Sequence, residues 1–428
     1  MAVEFWKADR LLFLVRRWIK LAVLLSAMLV SVLMAPATAR EDFATWREGL
    51  WPDADAMGIT RSTFDTALKG VKPDRSLPDL ILPGRKKKKR QDKCQAEFVK
   101  TPGQYLNARQ LGFLAKRGKQ LNLKYDKQLI EIEGDFGVPR SMLLAIFGRE
   151  TAFGSYKLKR DAIRALTTQA YLGRRADFFR KELLLAIKIL QEGHVSRKKM
   201  RSSWAGALGL TQFMPSDFYK HAVDGDGDGR ADIWNSVPDA LASAAKQFLD
   251  NGWERDKSWG EEVHLPKGFD CTLEGPHQMR SIREWRDLGL SLSFNKKFDP
   301  SQDDEKAYVL LPEGTYGPVF LLSNNFLVIK KYNFADLYAL FVGNLADRID
   351  GAGKLEKSWV KSKFVRTWQI VEMQEHLAAS GLYTDKIDGK VGAYTRNAIG
   401  MYQKANGLKP DCWPTNGLLK DMRRRASR

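Results

Sequence analysis

Only three cysteines, Cys94, Cys271 and Cys412, and only five histidines occur in 428 residues. Cysteines so few and scattered cannot form a disulfide framework or a Cys-based zinc site, and the histidines show no ligand spacing. At most one disulfide can form. In an oxidising compartment the expected pair is Cys94 with Cys271, because Cys412 falls in what reads as a separate domain. Acidic residues are the scarcer charge, 51 against 70 Lys plus Arg, for a net +19. That excess favours polyanions such as nucleic acid, anionic lipid or a wall polymer, without choosing among them. With 44% hydrophobic residues, 34 Gly and 16 Pro, neither disorder nor a collagen-like chain fits. The length suits two or three domains at about 150 residues each.

Residues 1–39 read as a targeting segment. Lys7, Arg10, Arg16, Arg17 and Lys20 precede an apolar run over 21–35, and Ala37-Thr38-Ala39 is a small-x-small cleavage site. The run falls short of the ~20 residues of a spanning helix, so cleavage after Ala39 is expected over an uncleaved anchor. No later apolar stretch is long enough to span. No cysteine follows the cleavage site closely enough for acylation, and Arg16-Arg17 resembles a twin-arginine signal loosely. The mature chain is expected to be exported, with membrane contact only through the signal segment or the basic run 85–90. Six like charges there repel and stay solvated, so that run reads as a surface loop that steers anionic polymers. An exported chain seldom meets nucleic acid, and none is expected as a partner.

Helical periodicity dominates from Thr101 to Phe248, with Leu111, Leu114 and Leu121, then Leu129, Ile132 and Phe136, then Leu143, Ile146 and Phe147. Between Tyr308 and Lys331, short runs such as Tyr308-Val309-Leu310-Leu311 and Phe326-Leu327-Val328-Ile329 predict a small antiparallel β insert. Helix returns over 334–349, and 351–363 reads as a linker to a small terminal domain, 364–425.

Pro139 predicts a helix start, and the helix carries Leu143, Ile146, Phe147 and Glu150 on one face, with Gly154 as its expected end. The Glu150 carboxyl then projects into an apolar stripe in the last turn, where burial and the helix dipole both disfavour its charge. A carboxyl kept protonated near neutral pH suits protonation of a glycosidic oxygen, whereas a Glu paired to an Arg is the plainer alternative. Downstream, residues 202–216 are rich in small side chains that let backbone approach a ligand. Gln212 offers an amide, and Trp204 and Phe213 offer rings for pyranose faces, though a tight helix crossing has the same composition.

Gly148-Arg149-Glu150-Thr151-x-Phe153-Gly154, followed by Ser203-Trp204-Ala205-Gly206-Ala207-x-Gly209-x-x-Gln212-Phe213-Met214-Pro215-Ser216, Gly252-Trp253 and Tyr332-Asn333, resembles the membrane-bound lytic murein transglycosylase B family. The resemblance covers about 43–349 of a catalytic domain taken as 40–350. It implies a mainly α, lysozyme-like fold and cleavage of the MurNAc-GlcNAc β-1,4 bond of peptidoglycan to 1,6-anhydromuramyl ends. It further implies Glu150 as acid and then base, with Ser203, Gln212, Phe213, Tyr332 and Asn333 at the substrate. Other cell-wall enzymes are conceivable partners. A hydrolase normally pairs two carboxylates and no second one stands out, which agrees with a one-acid route and leaves hydrolysis as the enzymatic alternative.

Asp224, Asp226, Asp228, Arg230 and Asp232 occupy positions 1, 3, 5, 7 and 9 of an EF-hand-like loop, 224–239, with Gly229 at position 6. Position 12 is Asn235, so Asp239 is the expected carboxylate from the next turn. A structural Ca²⁺ is expected and no catalytic cofactor. In the terminal domain, Val371-x-Met373-Gln374, Ile387-Asp388-Gly389-Lys390, Thr395-Arg396-x-Ala398-Ile399 and Tyr402-Gln403 resemble a three-helix peptidoglycan-binding domain. Asp411-Cys412-Trp413-Pro414 stands where that family usually has Asp-Gly. The alternatives to an enzyme are an idle wall-binding scaffold or a basic nucleic-acid binder resting on charge alone.

Overall fold

A computed structural model describes residues 42–82, 96–360 and 365–427. The targeting segment, Cys94 and the basic run 85–90 lie outside them. The first compact unit ends at Ala56 and holds two short helices, Phe43–Glu48 and Trp51–Ala56, the first capped by the Asp42 carboxylate. The second unit runs from Met57 to the C-terminus. Mostly helical, with a small antiparallel sheet and a helical terminal module, it has the lysozyme-like architecture expected.

At the centre of the second unit is the Arg140–Thr151 helix, buried from Ser141 through Gly148 and again at Thr151. It is enclosed rather than amphipathic. The helices Ala108–Lys124, Val237–Asp250 and Asp336–Asp350 pack around it. Two of them start from side-chain caps, the Asn107 side chain on Gln110 N–H and Ser236 on Asp239 N–H with Pro238 in the first turn. Gly118 lets the Ala108–Lys124 helix close on its neighbour, because a Cβ there would stand 2.6 Å from Ile349.

The β region is larger than the expected insert. Five strands lie in the order Arg280–Ser281, Lys306–Leu310, Val319–Leu322, Gly260–His264, Ser291–Leu292, all antiparallel. Phe326–Ile329, expected as strand, is helical within Asn324–Tyr332. Ser323 caps that helix at Asn325 N–H, and Phe326 and Ile329, three apart, enter the core together.

The terminal module is three helices, Thr367–Ala379, Ala393–Ala405 and Asn416–Ala426, around Met373, Leu377 and Ile399. Buried Gln374 organises it. Its Oε1 accepts the Asp388 and Gly389 N–H at 3.0 and 2.8 Å, and its Nε2 donates to Tyr383, Thr395 and the Lys390 carbonyl. The expected Cys94–Cys271 pairing is corrected here: Cys271 is bonded to Cys412. The terminal module packs onto the β region, where Cys412 joins the cluster of Trp285, Val309 and Leu321, and this brings the two cysteines together. A buried ion pair reinforces this contact, Arg396 Nη2 reaching Glu274 Oε1 at 2.6 Å and Asp336 at 3.7 Å.

Candidate active site

The Arg140–Thr151 helix ends three residues before Gly154. Ala152, Phe153 and Gly154 have φ of 49°, 59° and 75°, a left-handed run that is unfavourable for the first two. Side chains hold it in place. Thr151 Oγ1 accepts the Gly154 N–H at 3.1 Å and donates to the Leu210 carbonyl at 2.8 Å, while Phe153 turns its ring edge onto Phe147. A Cβ on Gly148 would meet the Phe153 ring at 2.7 Å, so glycine is required there. Thus each residue of Gly148-Arg149-Glu150-Thr151-x-Phe153-Gly154 other than Arg149 and Glu150 shapes the turn that presents them.

Glu150 stands in the last turn, partly accessible, in contact with the Tyr338 hydroxyl, which donates to its Oε1. Desolvation raises its pKa above the ordinary carboxyl value, opposed by the Tyr338 hydrogen bond and the Arg149 charge and helped by Glu97. Arg149 is not a direct salt-bridge partner. Its guanidinium lies over Tyr105, Tyr338 and Phe341 at 5.2–5.4 Å and donates to the Tyr105 hydroxyl. An aromatic cage thus takes up the cation that the simple alternative would have paired with Glu150.

The segment 202–213 closes against the turn through the Thr151–Leu210 bond. Leu208 and Phe213 exchange backbone hydrogen bonds at 2.7 and 2.9 Å, and Ser203 Oγ accepts the Ala205 and Ala207 N–H at 3.2 and 3.1 Å. Gln212 is held at φ 60° with its Nε2 on the Gly209 carbonyl. Tyr332 donates to the Thr211 carbonyl at 2.9 Å, which ties this loop to the Asn324–Tyr332 helix. Asn333 donates to Glu97 Oε1 at 3.2 Å. Ser203, Gln212 and Tyr332 are therefore tied to the Glu150 turn through this loop, while Asn333 follows Tyr332 in the chain and bonds Glu97. The expectation for Phe213 is corrected: its ring is 1% exposed and packs on Tyr332 and His221, so it cannot stack on a sugar.

Sequence reasoning missed the roles of four residues. Glu97 is a second carboxyl close enough to influence Glu150, but it is buried, receives Asn333 and carries no motif. Tyr338 and Arg149 act through tertiary contacts that spacing does not reveal. Phe334, 86% exposed beside Asn333, is an aromatic face whose only sequence signal was that adjacency.

In the aspartate loop, Asp224, Asp226 and Asp239 place carboxylate oxygens within 4.8 Å of one another. Among the described residues no other group of three or more His, Cys, Asp or Glu does so. Asp224 accepts N–H groups from Asp226, Gly227 and Gly229, which hold its pKa down, and buried Asp239 accepts from Gly225 and Asp232. The other expected ligands stand apart. Asp232 is engaged by Trp234 N–H, Asn235 N–H and the Asn235 amide, and Asp228 caps Arg230 N–H. Arg230 has only its backbone oxygen to offer a cation, its guanidinium donating to the Gly193 carbonyl. Three converging hard oxygens fit Ca²⁺ or a similar cation.

A helical domain that ends its buried central helix on a lone carboxyl, closed by a small-residue loop, defines the class. The chain belongs to the family described as Transglycosylase SLT domain, whose model matches residues 42–347. A second model, a putative peptidoglycan binding domain, matches residues 368–420. Membrane-bound lytic murein transglycosylase B of Escherichia coli is 30% identical over 221 residues, which are 50% of this chain and 58% of that protein. SltB3 from Pseudomonas aeruginosa, solved in complex with NAG-anhNAM-pentapeptide, is 37% identical with a TM-score of 0.81 over 90% of this chain and all of that one. Soluble lytic transglycosylase SltB1 from the same organism is 27% identical with a TM-score of 0.58 over 71% of this chain and 97% of its own. Among the described residues no helix is long and apolar enough to cross a membrane.

Proposed function

We propose that the protein is a lytic transglycosylase that cleaves the MurNAc-GlcNAc β-1,4 bond of peptidoglycan and leaves 1,6-anhydromuramyl ends. The observation that carries this reading is Glu150: a carboxyl at the end of a buried helix, protonated to higher pH by desolvation and by the nearby Glu97 charge, with the Tyr338 hydroxyl donating to it. Protonated Glu150 delivers its proton to the glycosidic oxygen as the muramyl C1–O bond breaks and GlcNAc leaves with a free 4-hydroxyl. The muramyl N-acetyl group stabilises the cationic centre. Glu150, now a carboxylate, removes the proton from the muramyl 6-hydroxyl as O6 bonds C1, and returns to its starting state. Ser203 and Gln212 hold the muramyl residue, Tyr332 and Asn333 shape the cleft floor, and Glu97 orients Asn333 rather than serving as a base.

The described terminal module holds the enzyme on the wall and raises local substrate concentration. Export through the segment 1–39 places the chain in the periplasm, and its net positive charge draws it to the anionic wall. Asp224, Asp226, Asp239 and the Arg230 backbone oxygen would hold a structural Ca²⁺ that stiffens the loop before the Val237–Asp250 helix. The test is digestion of purified sacculi by the mature protein and by Glu150→Gln, with soluble muropeptides weighed by mass spectrometry. Products one water lighter than hydrolytic muropeptides, absent with the variant, are expected. Full-mass reducing ends, or equal release by the variant, would overturn the proposal.

A further inference from the structure

Asp411-Cys412-Trp413-Pro414, the departure from the usual Asp-Gly of the binding module, builds a pocket remote in sequence from the Glu150 motif. Cys412 takes φ 56°, a conformation glycine tolerates better, and is held there by the bond to Cys271 and by Gln403 Oε1, which accepts the Asp411 and Cys412 N–H, each at 3.0 Å. Asp411 then reaches the β region. Its carbonyl accepts the Thr315 N–H at 3.1 Å, and its carboxylate accepts the Tyr316 hydroxyl at 2.6 Å. Gly314 (φ 59°) is required for this approach, since a Cβ there would stand 2.3 Å from the Asp411 carbonyl oxygen.

These contacts fix a pocket of about 320 Å³ lined by Glu313, Tyr316, Trp413, Pro414, Thr415 and Asn416. Tyr316 is 49% exposed and Trp413 partly so, leaving two aromatic surfaces open. Glu313 is 1% exposed. Its Oε2 accepts the Val360 N–H at 2.8 Å, but its Oε1 has no hydrogen-bond partner. An acceptor buried in this way is costly unless something donates to it.

We propose that this pocket is a saccharide subsite in which an N-acetylated amino sugar lies against Trp413 and Tyr316 and donates a hydroxyl or amide hydrogen to Glu313 Oε1. Open aromatic faces with one convergent polar group are the chemistry of pyranose recognition, and the volume is at the small end of ligand sites, roughly 300–1,000 Å³. A cationic ligand is disfavoured, because Lys357 lies near Glu313 with its Nζ on the Thr315 carbonyl at 3.2 Å. The proposal deepens the functional reading above by giving the glycan strand a second hold, fixed relative to the β region by the disulfide.

The test uses the full mature chain carrying Glu150→Gln, titrated calorimetrically with N-acetylglucosamine tetramer and assayed by cosedimentation with sacculi. Trp413→Ala should weaken sacculus binding at least fivefold and remove one of two saccharide sites. Trp413→Phe should restore most of the binding. Glu313→Gln guards against misfolding: the Val360 N–H claims its amide oxygen, so an NH₂ faces the ligand and binding should fall without loss of melting temperature. Unchanged stoichiometry and affinity in folded Trp413→Ala and Glu313→Gln would overturn the proposal, as would binding of a diamine in place of the tetramer. Muropeptide release by the chain with Glu150 intact separates the two readings: release without a Trp413-dependent site sinks only the subsite, and such a site without release sinks only the lytic activity.

Discussion

Tyr338→Phe deletes one oxygen, and the structure sets what should follow. The Tyr338 hydroxyl donates to Glu150 Oε1 and is the leading influence that lowers the acid's pKa against the dominant effect of burial. A hydrogen bond to a charged group contributes about 1.5–3 kcal/mol. At 1.36 kcal/mol per pKa unit, its loss should raise the Glu150 pKa by about 1–2 units. The assay is turbidity loss of a sacculus suspension against pH. Its alkaline limb reports deprotonation of the catalytic acid, so the limb should move to higher pH by that amount. The phenyl ring still fills the space, so the loss of stability should stay near 1 kcal/mol, checked by urea unfolding. An alkaline limb that stays in place, or moves to lower pH, would refute the account of how Glu150 is tuned.

Glu150→Gln should stabilise the fold at neutral pH. The folded pKa lies above the ordinary value of 4.5, so the stability contributed by Glu150 is complete below about pH 4.5 and is lost as pH rises through the folded pKa. The gain in melting temperature should therefore be clear at pH 8 and vanish at pH 4. Cys412→Ser should loosen the module. The bond spans a sequence separation of 141 residues, and chain entropy puts its contribution at about 5 kcal/mol, an upper figure that chemical denaturation checks. Arg396→Met leaves buried Glu274 unpaired and should cost about 3–5 kcal/mol. Calcium at a hundred times its dissociation constant should stabilise the chain by about 2.7 kcal/mol, and Asp224→Asn should abolish that shift in calorimetry.

The parts of this fold that were legible in sequence rest on local physics. The start of the Glu150 helix at Pro139 and the position of its acid in the last turn followed from proline chemistry and 3.6-residue periodicity. The three helices of the terminal module were implied by its resemblance to a peptidoglycan-binding domain, and they form at Thr367–Ala379, Ala393–Ala405 and Asn416–Ala426. What escaped depends on residues distant in the chain. Phe326–Ile329 reads as strand by composition because a short apolar run has no period of its own, and the Ser323 cap with tertiary burial decides for helix. The helix end was placed at Gly154 because glycine is the usual left-handed residue, yet Ala152 and Phe153 adopt that conformation first, held by Thr151 and the Phe147 ring. Phe213 looked like a sugar platform in a small-residue loop, and only the fold turns it inward. Cys271 and Cys412 meet because a module that reads as detached is seated on the β region, which linker composition cannot express. Glu97 and Tyr338 enter the site by packing alone.

The central claim is that one partly accessible, desolvated carboxyl cleaves the glycan without water as nucleophile. Digestion of sacculi in oxygen-18 water, followed by mass spectrometry of the released muropeptides, tests it most directly. The account predicts anhydromuramyl ends with no heavy oxygen incorporated. Labelled reducing ends would contradict it and assign the second role to a carboxylate, with Glu97 the first to replace.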